Sequence, residues 1–268
     1  MVYFNKMMKV QDITSILESV APPHLQESYD NSGLIVGNPD DTVTGILFCL
    51  DSTEEIIEEA VRLGCNMVVA HHPIVFRGLK RFNGSSYVER TVIRAIREQV
   101  AVYAIHTNLD NVYFRGVNSK IAEKLGLTDT TILLPRPGQE QAGAGLVGNL
   151  STPMDETDFL HHVRNAMNAP CIRHTRLLGR SVGRVAVCGG AGSFLLTDAI
   201  RAGADAFVSA DFKYHEFFDA EDRLVVADIG HFESEQYTIQ LLFDIISEKY
   251  PTFALHLTKV RTNPVHYL

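Results

Sequence analysis

The sequence contains no tryptophan and only four cysteines, and no two of the cysteines form a C-x-x-C pair. We therefore expect a reduced protein without a disulfide framework. Long apolar runs are also missing, since none approaches the roughly 20 residues of a membrane-spanning helix. Residues 1–9 (MVYFNKMMK) lack the apolar core of a signal peptide. These absences predict a cytoplasmic protein with no membrane partner.

Basic residues are too few for a general nucleic-acid-binding surface. The chain of 268 residues has 24 Lys+Arg against 32 Asp+Glu, a formal charge of -8, whereas binding to a phosphate backbone needs a strongly basic face. The sequence also lacks a complete dinucleotide-binding signature, a P-loop and a nucleophile elbow. With 46% hydrophobic residues the composition is that of a globular protein, and the length predicts one large or two modest domains.

Strand-like and helix-like segments alternate along the chain, which predicts an α/β or mixed α+β fold. Helices are predicted at residues 10–20, 54–63, 86–99, 117–125, 155–167, 194–202 and 234–249, and strands at residues 44–50, 66–70, 100–105, 184–188, 206–209 and 253–260. The stretch 135–148, rich in Pro, Gly and Gln, is predicted to be a linker or an exposed crossover. We therefore place a first domain at residues 1–134, with a contribution from the C-terminal segment, and a second at residues 135–268.

The two halves of the chain overlay without a gap at one constant offset. The identical pairs are Cys49 and Cys188, Ala60 and Ala199, Arg62 and Arg201, Gly64 and Gly203, and Val69 and Val208. Two explanations stay open at this point: an internal duplication, or the general likeness of all β-α-β units. On either explanation both halves carry a β-α-β unit.

Two adjacent histidines, His71 and His72, directly follow the strand at residues 66–70. In open α/β sheets, ligands bind beyond the carboxyl ends of the strands. Neighbouring side chains of a strand point to opposite faces, so the two imidazoles share a site only if the strand breaks into a loop there. Pro73 favours such a break because it removes a backbone donor and restricts its neighbour. A purely structural role for the triplet remains open.

Two further strand ends carry pairs of polar side chains four residues apart. His106 and Asp110 follow the strand 100–105, and His231 and Glu235 open the last helix, where this spacing puts them on one face. Taken alone, each carboxylate also has a structural explanation. Asp110 is a residue type that favours turns, and Glu235 is an acidic residue near a helix start, where it stabilises the helix dipole. Taken together, five side chains suit two divalent metals with a bridging carboxylate and water in the open positions: His71, His72, Asp110, His231 and Glu235.

A fourth strand end, after residues 206–209, carries the alternating side chains Asp211, Lys213 and His215. They either orient ligands, bind substrate or transfer protons, or they form a solvated helix start. With His106 they are the candidates for acid–base catalysis.

Two other segments offer places for a phosphate. The first is a basic cluster of Arg77, Lys80 and Arg81, and the second is the glycine-rich run 189–193. The alternatives are a solvated loop for the first and a tight strand-to-helix turn for the second.

The segments YDNSGLIVG, AHHPIVF, HTNLD, SADFKYHEF and GHFESE, in this order, resemble the dinuclear metal-binding family called GTP cyclohydrolase 1 type 2 homolog, or Ngg-interacting-factor-like. The resemblance runs from about residue 10 to the C-terminal NPVHYL. It implies that the five side chains above ligate two metals, with Glu235 as a bridge, in a site between two related domains. It also implies a ring-shaped homohexamer. Tyr29 stands where the family usually has Trp, and the short stretch 135–148 leaves no room for the third domain that some relatives carry.

These features lead to two functional hypotheses. The first is a metal-dependent hydrolase that attacks a nucleotide or a related ring compound with metal-activated water. The second is a non-catalytic metal-binding assembly, such as a metal carrier, an insertion factor or a regulatory partner protein. Imidazole and carboxylate ligands without a thiolate suit Zn, Fe, Mn, Co or Ni, so the sequence leaves the metal open, as it does the substrate.

Overall fold

The structure is a computed structural model that describes residues 7–268 and builds two β-sheets there. Its strands are β1 (Gly33–Val36), β2 (Ile46–Cys49), β3 (Met67–Ala70), β4 (Ala101–Ala104), β5 (Leu127–Arg136), β6 (Gln139–Asp155), β7 (Arg173–His174), β8 (Ser181–Ala191), β9 (Ala206–Ala210), β10 (Val225–Asp228) and β11 (Leu255–Leu257). Its α-helices are α1 (Val10–Val20), α2 (Glu54–Arg62), α3 (Tyr87–Arg97), α4 (Thr107–Asp110), α5 (Val117–Leu125), α6 (Glu156–Ala166), α7 (Leu196–Arg201), α8 (His231–Glu235) and α9 (Thr238–Lys249). The α/β class predicted from the alternating segments is confirmed.

The chain forms two compact units. Of the described residues, the first unit contains 7–109 and the segment Thr238–Asn263, and the second contains Asp110–Tyr237 and Pro264–Leu268. This division differs from the predicted boundary at residue 134. The reason is that β5, which starts at Leu127, pairs with β6 in the second sheet, so the chain enters the second unit well before residue 134.

The sheet of the first unit has the strand order β1-β4-β3-β2-β11. β4, β3, β2 and β11 run parallel, and β1 pairs antiparallel with β4. Every residue of β2, β3 and β4 is buried, which is the pattern of a parallel sheet covered on both faces. Leu47 and Cys49 pack against the residues of α2 and α3, whereas Phe48 faces Phe243 of α9 with ring centroids 5.9 Å apart.

Two helices of the first unit begin at residues whose side chains cap them. The Thr53 hydroxyl accepts a hydrogen bond from the backbone N–H of Ile56 at the start of α2, and the Ser86 hydroxyl accepts one from Glu89 at the start of α3. Each bond satisfies a backbone donor that the first turn of a helix leaves open.

The sheet of the second unit has the order β5-β6-β8-β9-β10-β7. β8, β9 and β10 run parallel, and β7 pairs antiparallel with β10 at the edge. Ala186 and Cys188 of β8 pack with Leu196 and Ala199 of α7. A β-carbon placed at Gly189, the next residue, would instead meet Val117 of α5. Helices therefore pack on both faces of the parallel strands.

The stretch 135–148 is part of a long antiparallel hairpin, so its prediction as a linker or crossover is wrong. β5 and β6 pair from Leu127 opposite Leu150 to Arg136 opposite Gln139. Three glycines of the stretch, Gly143, Gly145 and Gly148, lie inside β6, where neighbouring residues leave no space for a side chain, whereas Gly138 lies in the turn between the strands. A β-carbon at Gly143 would lie 2.4 Å from the carbonyl oxygen of Leu134.

The β-α-β units of the two halves share one pairing register. β2 and β3 pair Ile46 with Met67 and Phe48 with Val69. In the second unit Val185 pairs with Ala206 and Val187 with Val208, and these are the same pairs under the offset that aligns Cys49 with Cys188. Each unit then adds a third parallel strand and an antiparallel edge strand, β4 and β1 in the first and β10 and β7 in the second. This agreement favours internal duplication over a general likeness of β-α-β units.

Within residues 7–268, no helix has the length and apolar content needed to cross a membrane.

Candidate functional site

In the first unit, the two adjacent histidines directly follow β3 and continue its backbone hydrogen bonding to the end of β2. The backbone N–H of His71 donates to Cys49 and that of His72 to Leu50, at 3.1 and 2.8 Å. The two imidazole centroids are only 4.8 Å apart, so the chain turns out of the strand as the shared site requires. His71 is fully buried.

Each of these imidazoles is oriented through its Nδ1 atom. His71 Nδ1 donates to the carbonyl oxygen of Ile105 at 2.8 Å, and His72 Nδ1 donates to Asp51 Oδ1 at 2.8 Å. Asp51 is itself held, because its Oδ2 accepts a hydrogen bond from the Thr262 hydroxyl at 2.7 Å. A histidine whose Nδ1–H is donated in this way keeps its Nε2 lone pair for a metal.

A third imidazole, that of His106, completes a cluster with the first two. Its centroid lies 5.4 Å from that of His71 and 5.3 Å from that of His72. His106 Nδ1 lies 2.8 Å from Asp30 Oδ1, and the other oxygen of Asp30 accepts from the backbone N–H of Thr107 at 3.0 Å. We call His71, His72 and His106 the imidazole cluster.

Asp30 keeps its charge although its side chain is buried. Burial opposes the charged form, but the hydrogen bonds from His106 and Thr107 outweigh it and hold the pKa of the carboxyl well below its usual range. Asp30 is therefore a buried anion that orients the third imidazole.

In the second unit His231 lies between two carboxylates. Its Nδ1 is 2.8 Å from Asp211 Oδ2, and its Nε2 is 3.1 Å from Glu235 Oε2. His231 and Glu235 face the same way because they are one turn apart in α8. The Glu235 charge, with Asp211, raises the pKa of His231 to about 11. Reciprocally, the hydrogen bond from His231 lowers the pKa of Asp211.

The glycine-rich end of β8 provides the space for this pair. Gly190 has a φ of +62°, and a β-carbon there would lie 2.5 Å from Glu235 Oε1 and 3.3 Å from His231 Cε1. The backbone N–H of Gly190 donates to the Ser234 hydroxyl at 2.9 Å. The run 189–193 ends β8 and leads into the 3₁₀ turn Ser193–Leu195, which agrees with the strand-to-helix alternative, and Gly190 leaves the space that the Glu235 carboxylate occupies.

Asp110 belongs to the same part of the second unit. The Asn118 side chain donates to the backbone oxygen of Asp110 at 3.0 Å and accepts from the Gly189 N–H at 2.9 Å. Burial raises the pKa of the Cys188 thiol, and the charges of Asp110 and Glu235 raise it further. The second unit thus gathers Asp110, His231 and Glu235 beside the end of β8.

Lys213 and His215 are placed differently. Lys213 precedes the 3₁₀ turn Tyr214–Ala220. The His215 ring is exposed and packs against Tyr214 and Phe218 at centroid distances of 5.1 and 6.3 Å. Of the fourth segment, only Asp211 is hydrogen-bonded to one of the predicted metal ligands among the described contacts.

Sequence reasoning misses three of these residues: Asp30, Asp51 and Gly190. Asp51 follows β2 at the carboxyl edge of the sheet, like the histidines after β3, so its position is a usable signal. Asp30 lies in the segment YDNSGLIVG, which carries the family resemblance, but nothing in its spacing points to His106. In the sequence, Gly190 stands out only as a member of a glycine-rich run.

The family model of Duf34/NIF3 (NGG1p interacting factor 3) matches residues 8–264. A Clostridium perfringens protein named GTP cyclohydrolase 1 type 2 homolog is 34% identical over 229 residues, which cover 85% of this chain and 87% of the relative. A Clostridium acetobutylicum protein of the same name is 30% identical over 257 residues, or 95% and 94% of the two chains. The solved structure of a Bacillus cereus protein related to NIF3 matches with a TM-score of 0.91 at 25% identity, covering 98% of this chain and 100% of that one.

Proposed function

The chain belongs to the Duf34/NIF3 family, and from this we propose that it is a metal-dependent hydrolase acting on a nucleotide or a related ring compound. The side chains that would hold two divalent metals are His71, His72, Asp110, His231 and Glu235. The name that its Clostridium relatives carry refers to a reaction on a nucleotide, and the substrate class is proposed on that ground.

The observation that carries the proposal is the way the imidazoles are held. Nδ1 of His71, His72 and His231 is hydrogen-bonded to a backbone carbonyl or a carboxylate. Metal-binding histidines are typically oriented in this way. Of the proposed ligands, His71, His72 and Glu235 supply two imidazole nitrogens and one carboxylate oxygen, a set that suits one ion.

The donor set fits a borderline divalent metal. The charge on His231 is also compatible with a bound cation, because the imidazole lies between two carboxylates and holds a proton in the place that a metal ion would take. When bound, the metals would supply an activated water and stabilise a developing oxyanion.

Among the four candidates for proton transfer, the contacts favour His106. It lies in the imidazole cluster, and Asp30 holds its Nδ1, which leaves Nε2 to accept a proton from a nucleophile. Asp211 is engaged in orienting His231, whereas Lys213 precedes the 3₁₀ turn Tyr214–Ala220 and His215 lies within it.

The experiment is a screen of nucleotides with the purified protein loaded with Mn, Fe or Zn, comparing the wild-type chain with Glu235→Ala. We expect metal-dependent turnover that Glu235→Ala abolishes and that His106→Ala lowers by roughly 10²–10⁴-fold, the range of general acid–base catalysis. Metal binding without turnover of any substrate would overturn the hydrolase proposal in favour of the non-catalytic metal-binding assembly.

A further inference from the structure

The loop that follows the two histidines carries three cations and two exposed aromatic rings. We call residues 74–82 the basic loop. It contains Arg77, Lys80 and Arg81, all exposed, and the phenyl rings of Phe76 and Phe82, which are 47% and 59% exposed. None of these side chains has a role in the proposed metal site.

The apolar residues of the basic loop fix its path. Ile74 is buried in the core of the first unit, and Val75 and Leu79 pack against that core. The Asn31 side chain donates to the carbonyl oxygen of Val75 at 2.6 Å. Contacts with the core therefore fix the start and the middle of the loop, whereas its charged side chains are exposed.

The three cations have no ion-pair partner within residues 7–268. Two acidic residues of the first unit are already engaged with other partners. Glu89 accepts hydrogen bonds from the backbone of Asn83 and Ser85, and Glu54 pairs with Arg90 at 2.8 Å. In a chain with a formal charge of -8, three exposed cations within residues 77–81 that lack anionic partners make the surface of this loop locally positive.

The aromatic side chains form a row beside this charge. The Phe76 ring lies 6.2 Å from that of His106, in an edge-to-face arrangement. The Tyr29 ring, 63% exposed, lies 6.2 Å from the Phe76 ring. The row therefore leads from the surface to the imidazole cluster, and Phe76 is the neighbour of Arg77 in the chain. Phe82 makes no ring contact within the described residues.

We propose that the basic loop binds the phosphates of a nucleoside polyphosphate, while Tyr29 and Phe76 stack against its base. Guanidinium groups bind phosphate oxygens in bidentate fashion, and aromatic faces accept any base. The proposal rests on the proposed function, whose substrate class it narrows to a phosphorylated nucleoside. The base lies beside the imidazole cluster and the phosphates lie along residues 77–81.

The test measures binding rather than turnover. Titration calorimetry gives the affinity of the purified holoprotein for GTP, guanosine and inorganic tripolyphosphate. The triple substitution Arg77→Ala, Lys80→Ala and Arg81→Ala should weaken GTP and tripolyphosphate binding at least tenfold and leave guanosine binding unchanged. The control triple Arg97→Ala, Lys249→Ala and Lys259→Ala removes three other exposed cations of the first unit and should leave all three affinities unchanged.

The stacking half of the site has its own pair of variants. Phe76→Ala should weaken GTP and guanosine about five- to tenfold and spare tripolyphosphate, whereas Phe82→Ala should change none of the three. Tyr29→Ala should likewise weaken GTP and guanosine binding, and Tyr29→Phe, which keeps the ring, should recover most of that loss. Thermal melts check that each variant folds.

Three results would overturn the proposal. The first is unchanged GTP affinity in the folded basic-loop triple, and the second is an equal loss in the control triple. The third is a change of molar mass in light scattering without loss of GTP binding, which would make the loop an interface between copies of the chain. Tight GTP binding without any metal-dependent turnover would refute the hydrolase and leave the basic loop as a nucleotide site.

Discussion

The Nδ1 atom of His71 lies 2.8 Å from the carbonyl oxygen of Ile105. Because a carbonyl oxygen only accepts hydrogen bonds, Nδ1 carries the proton and Nε2 keeps its lone pair. This contact links the end of β3 to the end of β4, so the parallel pairing of the two strands sets the orientation and the tautomer of a buried imidazole.

Removing the carboxylate behind His72 should weaken metal binding without removing a ligand. In Asp51→Ala, the Nδ1 of His72 loses its 2.8 Å acceptor. We expect a 10–100-fold loss of metal affinity, the usual effect of losing such a partner, measured by competition with a chelating indicator. Asp40→Ala is the control, because Asp40 forms a surface pair with Lys9 and its loss should leave metal affinity unchanged. Equal affinities in Asp51→Ala and the wild type would refute a supporting role for Asp51.

A methyl group at Gly190 should displace Glu235. Gly190→Ala combines a left-handed backbone with a contact of 2.5 Å to Glu235 Oε1. Gly203→Ala shares the left-handed backbone, with φ +71°, but its β-carbon meets nothing within 4 Å. Both variants should lose about 1–2 kcal/mol of folding free energy to the backbone strain. Only Gly190→Ala should also lose bound metal, measured by elemental analysis. Equal metal contents in the two variants would contradict this placement.

Asp30 should stabilise the fold in a pH-dependent way. Its folded-state pKa is depressed, so its contribution is present above the unfolded pKa of about 3.9 and is lost as the pH falls below that value. Asp30→Asn should cost about 2–4 kcal/mol at pH 7, since a buried charged acceptor is removed from His106 and Thr107.

Urea unfolding at pH 7, 5 and 3.5 measures this contribution. The difference between the wild type and Asp30→Asn should be the same at pH 7 and 5 and smaller at pH 3.5. A difference that grows on acidification would contradict a depressed pKa for Asp30 in the folded protein.

The family resemblance predicts a hexameric ring. One chain has a mass of 29.8 kDa, and the molar mass measured by size-exclusion chromatography with light scattering should be six times that value. A molar mass that corresponds to one or two chains at micromolar concentration would refute the hexamer.

The sequence predicts elements whose signals are local and misses contacts between distant residues. The helix Val117–Leu125 is predicted with its observed bounds, because an amphipathic pattern ends at Gly126, which adopts φ +70°. The hairpin of β5 and β6 is missed because Gly143 and its neighbours are present for close strand contact rather than for flexibility.

The site shows the same limit. The spacing of His231 and Glu235 is enough to place them on one helical face. The partners that orient the imidazoles are separated from them by 21 residues for Asp51 and His72 and by 76 for Asp30 and His106. No sequence periodicity predicts such a pairing, because it forms only when neighbouring strands bring their ends together.

We propose that five side chains hold two divalent metals. Elemental analysis of the purified wild-type chain and of Glu235→Gln, each equilibrated with Mn, Fe or Zn and then desalted, tests it most directly. We predict two metal ions per wild-type chain and a marked loss in Glu235→Gln, with both proteins folded. A wild-type chain that retains no metal, or a Glu235→Gln variant with an unchanged metal content, would contradict it.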